Sequence, residues 1–481
     1  MSTLTLADVA RATGGRFDAL SGPADSLGSS LVESVTIDSR TAGPGAVFAA
    51  LPGEHADGHD YAADAAARGA LAVLAARPVG VPAVIVDDVT TALGAMARTQ
   101  LRALPEVRVV AVTGSSGKTS TKDLLAAVLE AHGPTIAPPG SYNNDLGVPL
   151  TVLRCEAGTR YLVLEMGTRG EGQIARLCAI APPSIGVVLN VGTAHIGEFG
   201  SREAIARAKG ELVEAARDVA VLNADDPLVL AMRERTGARV VTVGESPDAA
   251  VRADAVVLGS DGRARFRLCH AWEHAGVELR VVGEHQVGNA LAAAAVGLEC
   301  GLSLPVVAAA LSGAEPRSRW RMEVAQSPGG VTVVNDAYNA NPESVRAALK
   351  ALAAMGRGDG QAPSRRRTWA VLGEMAELGE GARAEHDGIG RYAVRLDISR
   401  VVAVGEAAKA THAGAVLEGS WGEESVHVDD AGQALAMLRD ELRPGDIVLV
   451  KGSRVAGLER LAAALLVAAG EKRETEGEGG A

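Results

Sequence analysis

Apolar residues recur in two rhythms along this chain, and the alternation between them predicts most of its elements. Short β-branched runs, as in VRVVAVTG, YLVLEMG, SIGVVLNVG and VAVLNADD, each end at glycine or a small polar residue. After the first of them the apolar positions fall three or four apart, at Leu124, Leu125, Val128 and Leu129. Continuous runs predict buried strands, and the wider spacing predicts helices. From about residue 107 the two kinds alternate, which predicts a mainly parallel sheet covered by helices. Residues 249–283 change to a two-residue alternation, in RARFRL and VELRVVG, that predicts a β-ribbon; GNALAAAAVGLECG then predicts a helix.

A third block starts near Pro316. VTVVNDAYNANPESVRAALKALAAMG repeats the strand–turn–helix theme, and RTWAVLGEM, RVVAVG and DIVLVKGS predict further strands. Ahead of the alternating region, VESVTIDSRTAGPGAVFAALPG holds two strand-like runs around a turn, and YAADAAARGALAVLAA predicts a helix leading into a strand. Arg102 to Glu106, with Pro105, marks a boundary. At 481 residues the chain is too long for one ordinary core. The expected division is 1–104, 105–315 and 316–470, with a disordered tail at 471–481 and a solvated loop at 357–367.

Composition narrows the class. Apolar residues at 47% and charged residues at 22% are values of a globular protein. A net charge of −12 argues against a surface that coats nucleic acid. Cys155, Cys178, Cys269 and Cys300 form no CxxC pair and no zinc spacing, so they are expected to be reduced thiols of a cytoplasmic protein. The N-terminal stretch has no basic segment followed by an apolar core, so no signal peptide is expected. Alanine-rich segments such as Leu461 to Ala469 are far shorter than the ~20 residues of a membrane span.

The segment 107–133 carries the strongest chemistry. Its strand stops at TGSSGKTS, and a helix follows. Amide groups from Gly114, Ser115, Ser116, Gly117, Lys118 and Thr119 are placed to cradle phosphate oxygens, helped by the helix dipole. Lys118 supplies a point charge to the β- and γ-phosphates, and the Thr119 hydroxyl can ligate Mg²⁺. Only Ser115 and Ser116 separate Gly114 from Gly117, so the loop is more compact than a standard Walker A loop. A tight turn with an exposed lysine is the bland alternative.

Other polar groups fall at strand ends, where ligands gather in open parallel sheets. Glu165 closes YLVLE, and a hard oxygen beside a phosphate loop suits Mg²⁺. His195 lies just past another strand end, where a structural role competes with a functional one. Lys209 sits in AIARAKGEL on a helix, and helix lysines are usually solvent-exposed. Asn289 in GEHQVGNALAAAA reads, from spacing alone, as a helix cap. Asp336, Tyr338 and Asn339 share one loop, suited to a ribose and base or simply to turn chemistry.

Taken together these segments resemble the Mur ligase family, the ATP-dependent amide-forming enzymes of peptidoglycan synthesis. The resemblance spans nearly the whole chain in order: VTGSSGKTS, GSYNNDLGVPL, LEMGTRGEGQI, NVGTAHIGEFGS, AKGEL, GEHQVGNALAA, RMEV, NDAYNANPESV, VLGEMAELGE and VKGSR. NNDLGVPL, DAYNANP and GEMAELGE are most similar to the branch that adds D-alanyl-D-alanine to a UDP-N-acetylmuramoyl tripeptide, and the DNPR motif of the diaminopimelate-adding branch is missing. One departure is Ser141, where the family commonly carries asparagine.

The resemblance implies an α/β chain of three domains. These are a small N-terminal α/β domain, a central phosphate-loop NTPase-like domain with a mainly parallel sheet, and a C-terminal Rossmann-like domain. It implies a ligase that makes ADP and phosphate through an acyl phosphate. ATP and Mg²⁺, in two ions, are the implied cofactors, and Thr119, Glu165, His195 and a carbamylated Lys209 the implied metal ligands. Lys118, Glu165, His195, Lys209 and Arg321 would be catalytic, with Arg321 reaching the γ-phosphate. Ser120 would join the phosphate loop, Asn289 would contact adenine, and Asp336, Tyr338 and Asn339 would face the nucleotide. Asp38, Ser39 and Arg40 would hold the UDP part, and Asn143 and Asn144 the rest of the UDP-muramoyl substrate. GEMAELGE and Lys451-Gly452-Ser453 are candidates for the dipeptide pocket. A cytoplasmic monomer with small-molecule substrates, no nucleic acid and no membrane span completes the expectation. The rivals are a family ligase that adds a single amino acid, to a muramoyl peptide or a folate, and a phosphate-loop kinase or nucleotide-binding regulatory module.

Overall fold

A computed structural model describes residues 4–18, 27–53, 56–194, 196–358, 365–419 and 423–467. The expected disordered tail, most of the 357–367 loop and His195 lie outside the described residues. The described chain forms three sheets. The first has five strands, in the order Arg16–Phe17, Ala83–Ile85, Ala72–Ala75, Ala46–Ala49, Ser34–Thr36, parallel except for the first pair. Both strand-like runs and the helix-to-strand segment expected before residue 102 are present.

The second sheet has nine strands. Six consecutive neighbours are parallel: Arg239–Gly244, Val219–Asn223, Ile185–Val188, Arg108–Thr113, Tyr161–Glu165 and Thr135–Ile136. The expected ribbon extends it as Val251–Leu258, Arg263–His270 and Glu273–Val282, each paired antiparallel with the next. The β-branched runs are buried on both faces because helices cover both sides. The helix Lys118–Glu130 buries Leu124, Leu125, Val128 and Leu129, the positions its spacing marks. It lies close against Gln286–Glu299; a Cβ on Gly297 would come within 2.6 Å of Val128, so only glycine lets the two helices approach this far.

The third sheet has six strands, in the order Glu323–Gln326, Thr332–Asp336, Ile447–Lys451, Thr368–Leu372, Arg400–Val404, Ser425–Val428, parallel except for the first pair. The junction expected at 102–106 falls between the helix Val89–Arg102 and the strand Arg108–Thr113. The apolar core runs through it: Leu93, Met96, Leu104 and Val107 pack in one cluster with Val148, Leu162 and Leu177. A buried hydrogen bond from Gln100 Nε2 to the Cys155 carbonyl, 2.7 Å, ties the same two regions. All four cysteines are free and buried, and burial pushes the Cys155 and Cys178 thiols up to about 12, which keeps them protonated. Among the described residues no helix is long and apolar enough to cross a membrane.

Candidate active site

The carboxyl ends of Arg108–Thr113, Tyr161–Glu165 and Ile185–Val188 face the third sheet across a cleft of about 910 Å³. Ser115 to Ser120 form one wall, and Arg321, Asp336, Tyr338, Asn339 and Lys451 form part of the opposite one. Asn143, Asn144, Glu165 and Lys209 also line it. Asp38, Ser39 and Arg40 do not: they form an exposed turn in the first domain, where Arg40 pairs with Asp38 at 2.9 Å.

The phosphate loop is held from a distant strand end. Asn190 accepts from the Ser116 amide at 3.0 Å and from the Ser115 amide at 3.2 Å, and it donates back to the Ser116 carbonyl. The loop sequence predicts that every amide from Gly114 to Thr119 faces phosphate. Two of them are instead given to Asn190, which leaves the amides at the head of the helix for a phosphate. Gly117 precedes that helix with φ +82°, and a Cβ there would sit 2.5 Å from Asn289 Oδ1. Gly117→Ala therefore combines left-handed strain with a clash, and it should lower stability by roughly 1–3 kcal/mol. A thermal melt within one degree of the unaltered protein would contradict this.

The expectation that Asn289 caps its helix is corrected. The helix starts at Gln286, so Asn289 is a full turn inside it, and its amide donates to Gln286 Oε1 at 2.8 Å. It is buried against the phosphate loop rather than at a helix end.

Beyond the loop a buried polar cluster joins two domains. Thr119 Oγ1 donates to Glu165 Oε2 at 2.9 Å and lies 2.8 Å from Ser141 Oγ. Arg321 reaches both hydroxyls from the other side, at 3.2 Å and 3.1 Å, with its guanidinium over the Tyr338 ring at 4.1 Å. Ser141, the departure from the family pattern, thus sits inside the cluster. Asn143 Nδ2 donates to Glu165 Oε1 at 2.7 Å, while Asn144 Oδ1 accepts from the Leu146 and Gly147 amides and shapes the turn. Asp336 accepts from the Met322 amide and from Lys451 Nζ at 2.6 Å; Lys451 also donates to the Asn339 carbonyl.

Two lysines of the cleft stand apart. Lys118 Nζ donates to the Gly114 carbonyl at 2.8 Å, and burial holds its pKa below the ordinary lysine value against the pull of Glu165. Lys209 is only 4% exposed, and its side chain makes no hydrogen bond or ion pair with the described residues. Burial, with Lys118 nearby, holds it well below the ordinary value. The solvent-exposed reading of this helix lysine is therefore wrong.

Family models match most of the chain: the Mur ligase family, catalytic domain, at 31–118; the Mur ligase middle domain at 112–297; and the Mur ligase, glutamate ligase domain, at 320–454. A UDP-N-acetylmuramoyl-tripeptide–D-alanyl-D-alanine ligase of Mycobacterium tuberculosis is 52% identical, with 97% of this chain and 98% of that protein covered. The chain belongs to the Mur ligase family. An Escherichia coli ligase of the same name is 36% identical over 90% of this chain and 94% of its own. Among solved structures, MurF from Acinetobacter baumannii matches with a TM-score of 0.84 at 32% identity, covering 96% and 98% of the two chains. A Thermotoga maritima MurF ligase in complex with ADP matches at 0.77 and 29%, covering 92% and 98%.

The residues present in this Mur ligase fit Mg²⁺. Glu165 is 1% exposed, and among the described residues it has neutral donors but no ion-pair partner. A buried carboxylate beside a hydroxyl matches a hard cation that takes its remaining ligands from substrate phosphates. Among the described residues no group of three His, Cys, Asp or Glu could hold a metal alone. Asn190, Ser141 and Glu343 line the cleft without having been singled out as site residues for their contacts. Asn190 acts on residues 74 positions away, a pairing with no local signal.

Proposed function

We infer that this protein is an ATP-dependent ligase that joins D-alanyl-D-alanine to UDP-N-acetylmuramoyl tripeptide, forming an amide bond in peptidoglycan precursor synthesis. The likeness to ligases of that name over nearly the whole chain carries the inference. A carboxylate is a poor acylating agent, because attack on it would have to expel oxide. Its oxygen therefore attacks the γ-phosphorus of ATP first, ADP leaves, and an acyl phosphate forms. The dipeptide amine then adds to the carbonyl, the C–O bond to phosphate breaks, and a proton leaves the nitrogen.

In this reading Lys118 and Arg321 hold the charge that builds on the transferring phosphoryl group. Bound at Thr119 and Glu165, Mg²⁺ supplies further charge neutralisation. His195 is assigned to the same centre on the family resemblance alone. The burial of Lys209 without a partner supports carbamylation, which would turn an amine into an anionic oxygen ligand for a second Mg²⁺. Asn289, Asp336, Tyr338 and Asn339 serve the nucleotide, with Asp336 acting partly through Lys451. Asp38, Ser39 and Arg40 hold UDP, and Asn143 and Asn144 the muramoyl peptide. Residues 1–104, 105–315 and 316–470 form the UDP-binding, ATP-binding and closing domains. The enzyme works as a monomer in the cytoplasm, where ATP and UDP-linked precursors are found.

A coupled ADP-release assay over an acceptor panel tests the specificity. ADP should appear only with both the UDP-tripeptide and D-alanyl-D-alanine. Release with a single amino acid and a shorter precursor, but not with the dipeptide, would overturn the dipeptide assignment and leave the family intact.

A further inference from the structure

Among the contacts at the seam between the second and third domains that the chemistry above does not use, one involves a carboxylate with two donors. Glu343 lies in the first turn of the helix Pro342–Arg357, on the third domain. Its Oε1 accepts from the Thr193 amide at 2.8 Å and the Thr193 hydroxyl at 2.9 Å, on the strand-end loop of the second domain. The carboxylate lies flat over Gly192, where a Cβ would come within 2.8 Å of Glu343 Cδ. Gly192 in turn donates to Ser115 Oγ at 2.9 Å, so the contact is one step from the phosphate loop. Asn341 Nδ2 reaches the Ser115 carbonyl at 3.4 Å from the same helix start.

A second side-chain contact with a carboxylate on this side is weaker in kind. Arg169 and Glu377 pair at 3.1 Å, but the arginine is largely exposed, and such pairs are screened by solvent and salt. Glu343 instead brings one carboxylate oxygen to two donors in a part-buried position, where hydrogen bonds are screened less than at an exposed pair. Among the described residues its second oxygen, Oε2, is buried with no hydrogen-bond partner. A dry carboxylate oxygen opposes burial. Two good bonds on one oxygen and none on the other make a contact that closes and can still reopen.

We propose that Glu343 is a positioning residue that latches the third domain onto the Gly192–Thr193 loop and so keeps water away from the acyl phosphate. The proposal rests on the ligase reading above. If the latch fails, water adds to the acyl carbonyl and the C–O bond to phosphate breaks. The tripeptide carboxylate, phosphate and a proton are released, and ATP is consumed without an amide.

The test uses the full-length enzyme with ATP, UDP-muramoyl tripeptide and D-alanyl-D-alanine, measuring ADP and amide product in parallel. The unaltered enzyme should release one ADP per amide. Glu343→Ala should raise that ratio and lower kcat/KM for the dipeptide roughly tenfold or more, with ATP affinity unchanged. Glu343→Gln keeps a carbonyl oxygen for both Thr193 donors and should restore the ratio to near one. Thr193→Val removes only the hydroxyl donor and should fall between, which keeps the test open if Glu343→Ala does not fold. A ratio of one in both Glu343→Ala and Thr193→Val, or an equal rise in Glu343→Gln, would overturn the latch. Absence of ADP release by the unaltered enzyme would instead overturn the ligase reading.

Discussion

Lys118→Ala is expected to abolish turnover while leaving the fold intact. Lys118 opens the helix after the phosphate loop, and its part-buried ammonium donates to the Gly114 carbonyl, in the same cleft as Thr119 and Glu165. Charge on the transferring phosphoryl group grows in the transition state, in a site where water is scarce and each fixed cation counts heavily. Losing that stabilisation costs on the order of 3 kcal/mol or more, which is over a hundredfold in rate. The fold should survive, because the substitution removes a desolvated cation whose burial is unfavourable. The checks are ADP release at saturating substrates and a thermal melt. Near-normal turnover in a folded variant would remove the assignment of this loop to the nucleotide.

What was legible in the sequence was local. The strand, loop and helix of 107–133 follow from apolar spacing and from glycines that only certain backbone conformations need, and all three are observed. The ribbon over 249–283 is equally local, since a two-residue alternation requires one buried and one solvated face. Asn289 misled because an asparagine near a glycine imitates a cap, while the helix begins three residues earlier. Asn190 and Glu343 act on partners far along the chain, and nothing in their neighbours announces the contact. Lys209 was readable in principle: it falls four residues after Ile205 and three before Leu212, both buried, so it lies on the apolar stripe of its helix. A cation on such a stripe is a signal that helix statistics alone conceal.

That placement leads to the second large effect. Lys209→Ala should be nearly inactive, because in the proposed reaction the Lys209 carbamate gives Mg²⁺ an anionic oxygen; among the described residues of this helix, Arg202 and Lys209 line the cleft and neither is a carboxylate. The chemistry begins with a neutral amine. Its nitrogen attacks the carbon of CO₂, one proton leaves the nitrogen, and an anionic carbamate remains. Burial holds Lys209 well below the ordinary lysine value, so the neutral amine is more available near neutral pH than on a surface lysine. Bicarbonate cannot rescue the alanine variant, which has no amine, whereas a short carboxylic acid should restore part of the activity by standing in for the missing oxygens. Stability supplies a second readout with a definite sign. Without CO₂ the folded protein holds fewer protons at Lys209 than the unfolded chain does, over the window from the depressed value up to about 10.5. Stability should therefore rise with pH across that window, and Lys209→Met, with no charge to bury, should lose that part of the slope. The decisive observation is a ¹³C carbamate signal after labelling with ¹³CO₂. An unmodified Lys209 in an active, nucleotide-bound preparation would leave it a buried amine with no place in the reaction.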